Sequence, residues 1–414
     1  MNVLVLNAGS SSLRFQLIET DYERMRSDED LRHADGRVER IGTLAMVTLH
    51  AAGQKRVCKE VPLRDHAAAI DYVLRWLVSP ESGIESLRSI SDIHAVGHRM
   101  VHGGQSFRES VLIDPEVLRG LEDCVDLAPL HMPGNLSGVR AVEELLGQVP
   151  QVAVFDTAFH STMPATSYLY ALPYHYYSRF GVRRYGFHGT SHRYVAFRYR
   201  QLMKKPRKDV NIITLHLGNG SSACAIRDGD SFDTSMGFTP LEGLMMGTRT
   251  GDIDPSVMHY LSYKEGLGFS ELDTMLSKHS GLLGISGLAS DMRELLKEES
   301  EHFDRRVTLA IDMFCARVRK YIGAYYVGLE GCEALVFAGG IGENSPEIRA
   351  RICKGLDCLG LKIDEERNRE AVGGRTLKIS TEDSTLAAWV IPTDEELMIA
   401  RDTVRAVEPE GQGT

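Results

Sequence analysis

No window of this 414-residue chain comes near the roughly 18 apolar residues that would cross a bilayer, so the sequence predicts no membrane span. Positive charge is not in excess either. Forty-seven Lys and Arg against 57 Asp and Glu leave a formal net charge of −10, a poor balance for wrapping a polyanion, so nucleic acid is not expected as a partner. The seven cysteines are odd in number, and no two stand at CxxC spacing. They read as free thiols in a reducing compartment. The opening MNVLVLNAGSSS has no basic stretch, and its apolar run stops after Leu6, which predicts no signal peptide and a cytoplasmic address. Neither HExxH nor GxxxxGK[ST] occurs, so neither a zinc-protease helix nor a Walker loop is expected. With 43% apolar and 25% charged residues the chain is not disordered, and its length suggests two to three domains.

Two similar short units are present. Val3 to Leu6 runs into Asn7-Ala8-Gly9-Ser10-Ser11-Ser12, followed by alternating Leu13, Phe15 and Leu17. Ile212 to Leu217 runs into Gly218-Asn219-Gly220-Ser221-Ser222, followed by Ala223 to Ile226. Both read as strand, small-residue turn, strand, and their glycines lie 211 residues apart, which points to a duplicated domain. Helical patterns follow in both halves: Pro62 to Val78, a capped start at Asp114-Pro115, a long stretch from His302 to Leu329, and a second capped start at Ser345-Pro346. The class is α/β. Met25 to Asp35 is charged and aperiodic, and Glu408 to Thr414 is polar, so both are expected as surface loop and frayed end.

Gly218 to Ala223 satisfies GxGxxA, but a Rossmann turn must open a helix and this one leads into a strand. What remains is a pair of glycine and serine turns whose backbone N–H groups can approach phosphate oxygens, or which are ordinary hairpin turns. A third glycine cluster, Gly339 to Gly342, tilts this towards a nucleotide. GHRMVHGG and YGFHGTSH each contain His-x3-His, a zinc spacing on a helix, although the glycines argue against helix there. Arg99 and Arg249 sit among glycines, where a guanidinium fork can reach carboxylate or phosphoryl oxygens or form an ion pair. Asp156 ends an apolar run, the place where side chains face a ligand crevice or cap a turn. Glu395 and Glu396 open a helix, where the macrodipole favours carboxylates with or without a magnesium role.

The strings NAGSSSLRF, GHRMVHGG, LAPLH, FDTAFH, RRYGFHGTSH, HLGNGSS, MGFTPLEGLMMGTRTGDIDP, SGLLGISG, SDMR, GGIGENS and TDEEL occur in the order found in the acetate and butyrate kinase family, across nearly the whole chain. The sequence resembles that family closely. The resemblance implies two ribonuclease-H-like domains of the acetate and sugar kinase, chaperone and actin superfamily with a nucleotide cleft between them. Residues 1–152 plus 385–414 would form one domain, and 153–384 the nucleotide-binding other. It implies reversible transfer of a phosphoryl group from ATP to acetate, giving ADP and acetyl phosphate, with Mg²⁺ (or Mn²⁺) as cofactor and a homodimer as the assembly. Propionate kinase is the nearest alternative, and an actin-like or chaperone-like ATPase the alternative of a different class.

By the same resemblance Asn7 and Glu395 are the metal-linked residues, with Ser10, Ser12 and Arg14 beside the phosphates. Arg99 and Arg249 bind the substrate carboxylate and the transferring phosphoryl, His188 hydrogen-bonds that phosphoryl, and Asp156 stands at the metal and substrate end. His216, Leu217, Gly218, Asn219 and Gly220 form the second phosphate hairpin. Asp291, Met292, Arg293, Gly339, Gly340, Ile341, Gly342 and Asn344 match the nucleotide side. Val101, Leu130, Phe187 and Pro240 match the pocket for the acyl methyl. The family commonly has lysine where Arg14 stands, HNP where His131-Met132-Pro133 stands, and TNEE where Thr393-Asp394-Glu395-Glu396 stands. These departures bear on metal affinity and substrate preference.

Overall fold

The computed structural model describes residues 1–409 and divides into two units, Met1–Ala158 with the chain from Asp394, and Phe159–Thr393. The expected tail at 410–414 lies outside the described residues.

The first unit is built on eight strands: β1 (Asn2–Ala8), β2 (Ser12–Glu19), β3 (Leu31–Glu39), β4 (Leu44–Ala51), β5 (Val57–Pro62), β6 (Ala95–Met100), β7 (Val111–Leu112) and β8 (Gln151–Phe155). They form one sheet in the order β5-β4-β3-β2-β1-β6-β8-β7. β1, β2 and β3 are antiparallel, whereas β1, β6 and β8 run parallel. The apolar alternation of β2 points Leu13, Phe15 and Leu17 into a core shared with Ile70, Val73 and Leu74 of the helix His66–Leu77. The last helix, Glu395–Val407, packs on β6 through a glycine. A Cβ at Gly97 would collide with Thr403 Oγ1 and come within 2.8 Å of Ile399 Cγ2. Gly97 and Arg99 share a face of β6, so this close approach lays the helix that begins with Glu395 on the same side as Arg99.

The second unit repeats the plan. Its strands are β9 (Ile212–Leu217), β10 (Ser221–Arg227), β11 (Asp230–Thr234), β12 (Ala334–Ala338), β13 (Leu377–Lys378) and β14 (Ala387–Val390), ordered β11-β10-β9-β12-β14-β13. Again three antiparallel strands lead into parallel neighbours, β9, β12 and β14. The order β3-β2-β1-β6-β8 in one unit and β11-β10-β9-β12-β14 in the other is the duplication expected from the two hairpins. The core gathers Ile213, Leu215, Leu335 and Phe337 from the sheet against Ile311, Phe314 and Val318 of the helix Arg305–Gly328.

Several expectations need correction. The segment Met25 to Asp35 is not a loop: it holds the end of a helix, Tyr22–Ser27, and the start of β3. β3 hydrogen-bonds to β2 and β4 on its two sides while its exposed polar side chains hide the strand pattern. The helix expected from Pro62 starts at His66, capped by Asp65, and the long helix spans Arg305–Gly328 behind a separate helix, Met292–His302. Ser345 precedes a helix at Pro346 but makes no side-chain cap, and its backbone N–H closes the preceding helix on Ile341 O. The units divide at 158/159 and 393/394, not at 152/153 and 384/385. β14 pairs with β12 and so belongs to the second sheet, while β8 belongs wholly to the first.

Candidate active site

In the first unit the candidate residues meet at the carboxyl ends of three adjacent parallel strands, the usual ligand edge of an α/β sheet. Asn7 and Arg99 are each next to last in β1 and β6, and Asp156 follows β8, its N–H donating to Met100 O at 2.9 Å. The Arg99 fork closes on the Asp156 carboxylate, with Nε 3.0 Å from Oδ1 and Nη2 on Oδ2, and Nη1 donates to Asn7 Oδ1 at 3.2 Å. Glu395 Oε2 stands 3.9 Å from Arg99 Nε. Burial works against the Arg99 charge, but Asp156 and Glu395 outweigh it and hold the guanidinium above its ordinary value. Burial pushes the Glu395 carboxyl up to about 7; Arg99 and Arg14 pull it down, and Asp156 and Glu396 push it further up.

The first hairpin is braced from behind. Gly134, in the helix Met132–Leu146, lets that helix sit against the turn, since a Cβ there would lie 2.6 Å from Gly9 O. Asn135 donates to Ala8 O at 2.6 Å and accepts from Val101 N–H at 3.0 Å. Ser10 and Arg14 are exposed, Ser12 is half-buried, and Ser12 O accepts from Gly9 N–H at 2.8 Å. Val101 is buried, whereas Leu130 is 58% exposed in its turn.

In the second unit His216 is next to last in β9 and Gly339 follows β12, the corresponding strand ends. His188 and His216 stack with ring centroids 4.2 Å apart. Gly220 sits close to His188 and Arg249: a Cβ there would lie 3.4 Å from His188 Nε2 and 3.6 Å from Arg249 Nη1. Arg249 is half-buried. Its guanidinium donates to Pro240 O at 3.1 Å and touches Met246 Sδ at 3.7 Å, and among the described residues it has no carboxylate partner. Burial lowers its pKa from the ordinary value. The loop carrying Pro240 and Arg249 is pinned by Arg184, which donates to the carbonyls of Thr234, Ser235 and Met236 and pairs with Glu242 at 2.5 Å. Phe187 is buried, and its carbonyl accepts from His160 Nε2 at 3.1 Å.

A cavity of about 780 Å³ opens on this unit, a volume suited to a small ligand. Of the expected nucleotide residues, Gly218, Asn219, Asp291, Met292, Arg293, Gly340, Ile341 and Asn344 line it. Ser290, Leu296 and Ser345 line it too, although no motif singled them out. Asp291 caps the helix Met292–His302 and pairs with Arg293 at 2.6 Å. Leu217, Gly339 and Gly342 are buried beside the cavity's loops rather than in its wall. Gly339 takes φ +74 with Leu217 backbone atoms within 3.1 Å of a would-be Cβ, so only glycine fits without strain.

The two His-x3-His pairs differ in setting. His98 lies on β6 and bonds Gln151 Oε1 at 2.7 Å. His188 precedes and His192 lies within the helix Gly189–Met203, so only the second half of that segment is helical. His192 binds hydroxyls at both nitrogens, Thr214 and Ser222. Among the described residues no three His, Cys, Asp or Glu side chains gather as a metal cage. All seven cysteines are free, and no helix is long and apolar enough to cross a membrane among the described residues.

Similar proteins agree along the chain. An acetate kinase of Solibacter usitatus is 59% identical over 98% of both chains. The crystal structure of Porphyromonas gingivalis acetate kinase superposes with a TM-score of 0.91 at 43% identity, covering 98% of this chain and 100% of that one. A propionate kinase from Francisella tularensis superposes at 0.88 with 41% identity, covering 97% and 98%. With the Acetokinase family model matching residues 2–401, the chain belongs to that family.

Proposed function

We propose that this chain is an acetate kinase that transfers the γ-phosphoryl group of ATP to acetate, reversibly, giving ADP and acetyl phosphate. One observation carries the reading at the level of residues: Arg249, half-buried beside Gly220 and His188 with no acidic partner among the described residues, is a cation placed for an anion that must come from outside.

The chemistry asks for little else. Acetate, with a pKa near that of a glutamate at about 4.3, is ionised at neutral pH, so attack needs no general base. The obstacle is repulsion between an anionic nucleophile and an anionic phosphate, which positioned cations and donors relieve. In this reading Arg249 holds the equatorial oxygens of the transferring phosphoryl, and His188 donates a hydrogen bond to the same group. Arg99 binds the acyl carboxylate through what Asp156 leaves open, and Asp156 orients the fork rather than taking a proton. His216, Asn219 and Gly220 attend the phosphates, and the 780 Å³ cavity takes the adenosine.

The oxygen donors Asn7, Asp156 and Glu395 fit Mg²⁺ or Mn²⁺. They are hard ligands with too few carboxylates for a protein-only cage, as expected of an ion shared with phosphates, and Arg99 at 3.9 Å does not offset the burial of the Glu395 carboxyl. When bound, the ion would supply positive charge against the phosphate oxygens. A homodimer and a cytoplasmic address complete the reading, on the family resemblance.

Val101, Leu130, Phe187 and Pro240 are assigned to the acyl methyl. The 41% identity to a propionate kinase favours testing longer acids as the second reading. The test is hydroxylamine trapping over acetate, propionate and butyrate. Hydroxamate formed only with ATP, Mg²⁺ and a short acid is expected. ATP hydrolysis indifferent to added acid would instead mark an ATPase of the actin or chaperone class and sink the proposal.

A further inference from the structure

In the second unit each of the two stacked imidazoles carries a serine hydroxyl on Nδ1. His188 Nδ1 lies 2.9 Å from Ser222 Oγ, and His216 Nδ1 lies 2.7 Å from Ser191 Oγ. With centroids 4.2 Å apart, two imidazolium ions would repel, so the stack disfavours charging both rings. Ser222 Oγ is also 2.8 Å from His192 Nε2, and His192 Nδ1 is 2.7 Å from Thr214 Oγ1. Thr214, His192 and Ser222 are all buried. The reaction as derived uses none of them.

Counting protons limits the orders the chain can take. A neutral imidazole bonded to hydroxyls at both nitrogens donates at one and accepts at the other. Burial, with His160 and His216 nearby, holds His192 well below its ordinary pKa and therefore neutral. Ser222 has one proton to give. If Thr214 donates to His192 Nδ1, then His192 Nε2–H donates to Ser222 Oγ and the Ser222 hydroxyl donates to His188 Nδ1. His188 then carries its own proton on Nε2, the nitrogen beside Gly220. The reverse order would leave a neutral His188 facing an anion with a lone pair.

We propose that Thr214, His192 and Ser222 are positioning residues that hold His188 as a neutral ring protonated on Nε2, a ready donor to phosphoryl oxygens. Both the donor role and the choice of this order over its reverse rest on the function proposed above, whereas the hydrogen-bonded chain itself does not. Thr214→Val keeps the shape and deletes a hydroxyl three hydrogen bonds from His188, and Ser222→Ala deletes the bridge.

The test uses full-length protein with ¹⁵N-labelled histidine. The His188 signals, assigned by their loss in His188→Asn, should show Nε2–H with a bare Nδ1 at neutral pH. Ser222→Ala should mix the two tautomers, Thr214→Val should do so in part, and Thr214→Ser should restore the wild-type pattern. In the hydroxamate assay Ser222→Ala should lower kcat about tenfold with KM for ATP nearly unchanged. Wild-type His188 found as the Nδ1–H form or as the imidazolium overturns the proposal, as does a tautomer unmoved by Ser222→Ala. The expected tautomer together with full turnover in His188→Asn would leave the proton order standing and overturn the donor role, and with it the function assigned to His188.

Discussion

The two units share a strand order but use their arginines in opposite ways. Arg99 is closed on Asp156, bonded to Asn7 and 3.9 Å from Glu395, so its charge is answered within its own unit. Arg249 meets a carbonyl and a sulfur, and among the described residues no acid answers it. A guanidinium already paired contributes to the fold and to a precisely aimed donor. One left unpaired beside glycine is held ready for charge that arrives with a ligand. The same residue type is thus answered internally in one unit and, on the proposed function, left for a ligand in the other.

The largest effect that would sharpen this contrast is on rate. Arg249→Ala is expected to lower kcat about 10³-fold or more in the hydroxamate assay, with a small change in KM for ATP and stability within about 1 kcal/mol of wild type. Near-normal turnover would break the contrast at its functional end. Arg99→Ala is expected to behave differently, losing about 3 kcal/mol in urea unfolding as well as activity, because Asp156, 1% exposed, is left without its counter-charge. An Arg99→Ala protein as stable as Arg249→Ala would show the two arginines to be alike.

In acid the units should behave in parallel. Burial pushes His98 and His102 in the first unit and His160 in the second down to about 4. Their folded values lie below the unfolded 6.5, so stability is intact above that pH and is lost as pH falls from 6.5 towards 4. At about pH 5 each costs about 2 kcal/mol. Urea midpoints that do not drop between neutral pH and 5 would contradict this. A smaller effect concerns selectivity: Val101→Ala should raise relative kcat/KM for propionate or butyrate over acetate by up to about tenfold, and an unchanged acid profile would remove Val101 from the pocket. Smallest is Asp394→Asn. Asp394 accepts from Leu397 N–H and pairs with Arg32, so its extra charge is spent on the helix start. Asparagine still caps, and the variant should lose under about 1 kcal/mol in urea unfolding with the Mg²⁺ half-saturation point unmoved. A several-fold shift in that point would place Asp394 in the ion's environment.

The repeated small-residue turns made the duplication legible, because a glycine and serine hairpin needs only neighbours in sequence to form. The edges of the units were less so. Ala387–Val390 is short, and only its pairing with β12, some fifty residues earlier, assigns it to the second sheet. β3 escaped notice because its backbone bonds both neighbours while Arg32, Arg37 and Glu39 face water or half-burial. The arginines could be singled out from their glycine-rich surroundings, but not their pairing: that Arg99 is occupied and Arg249 is not depends on side chains 57 and more residues away. Ser222 and His192, thirty residues apart, likewise meet only in the folded sheet and helix.

Gly97 makes the Glu395 carboxylate hostage to a contact one helical turn away. Ile399 and Thr403 rest on a strand stripped of its Cβ, and a helix moves as a rod, so a single added methyl at position 97 would lift the whole rod and carry its first carboxylate out of reach of Arg99. The place of the Glu395 carboxylate is therefore set by a residue with no chemistry of its own, and alanine, the mildest of substitutions elsewhere, would there act as a wedge.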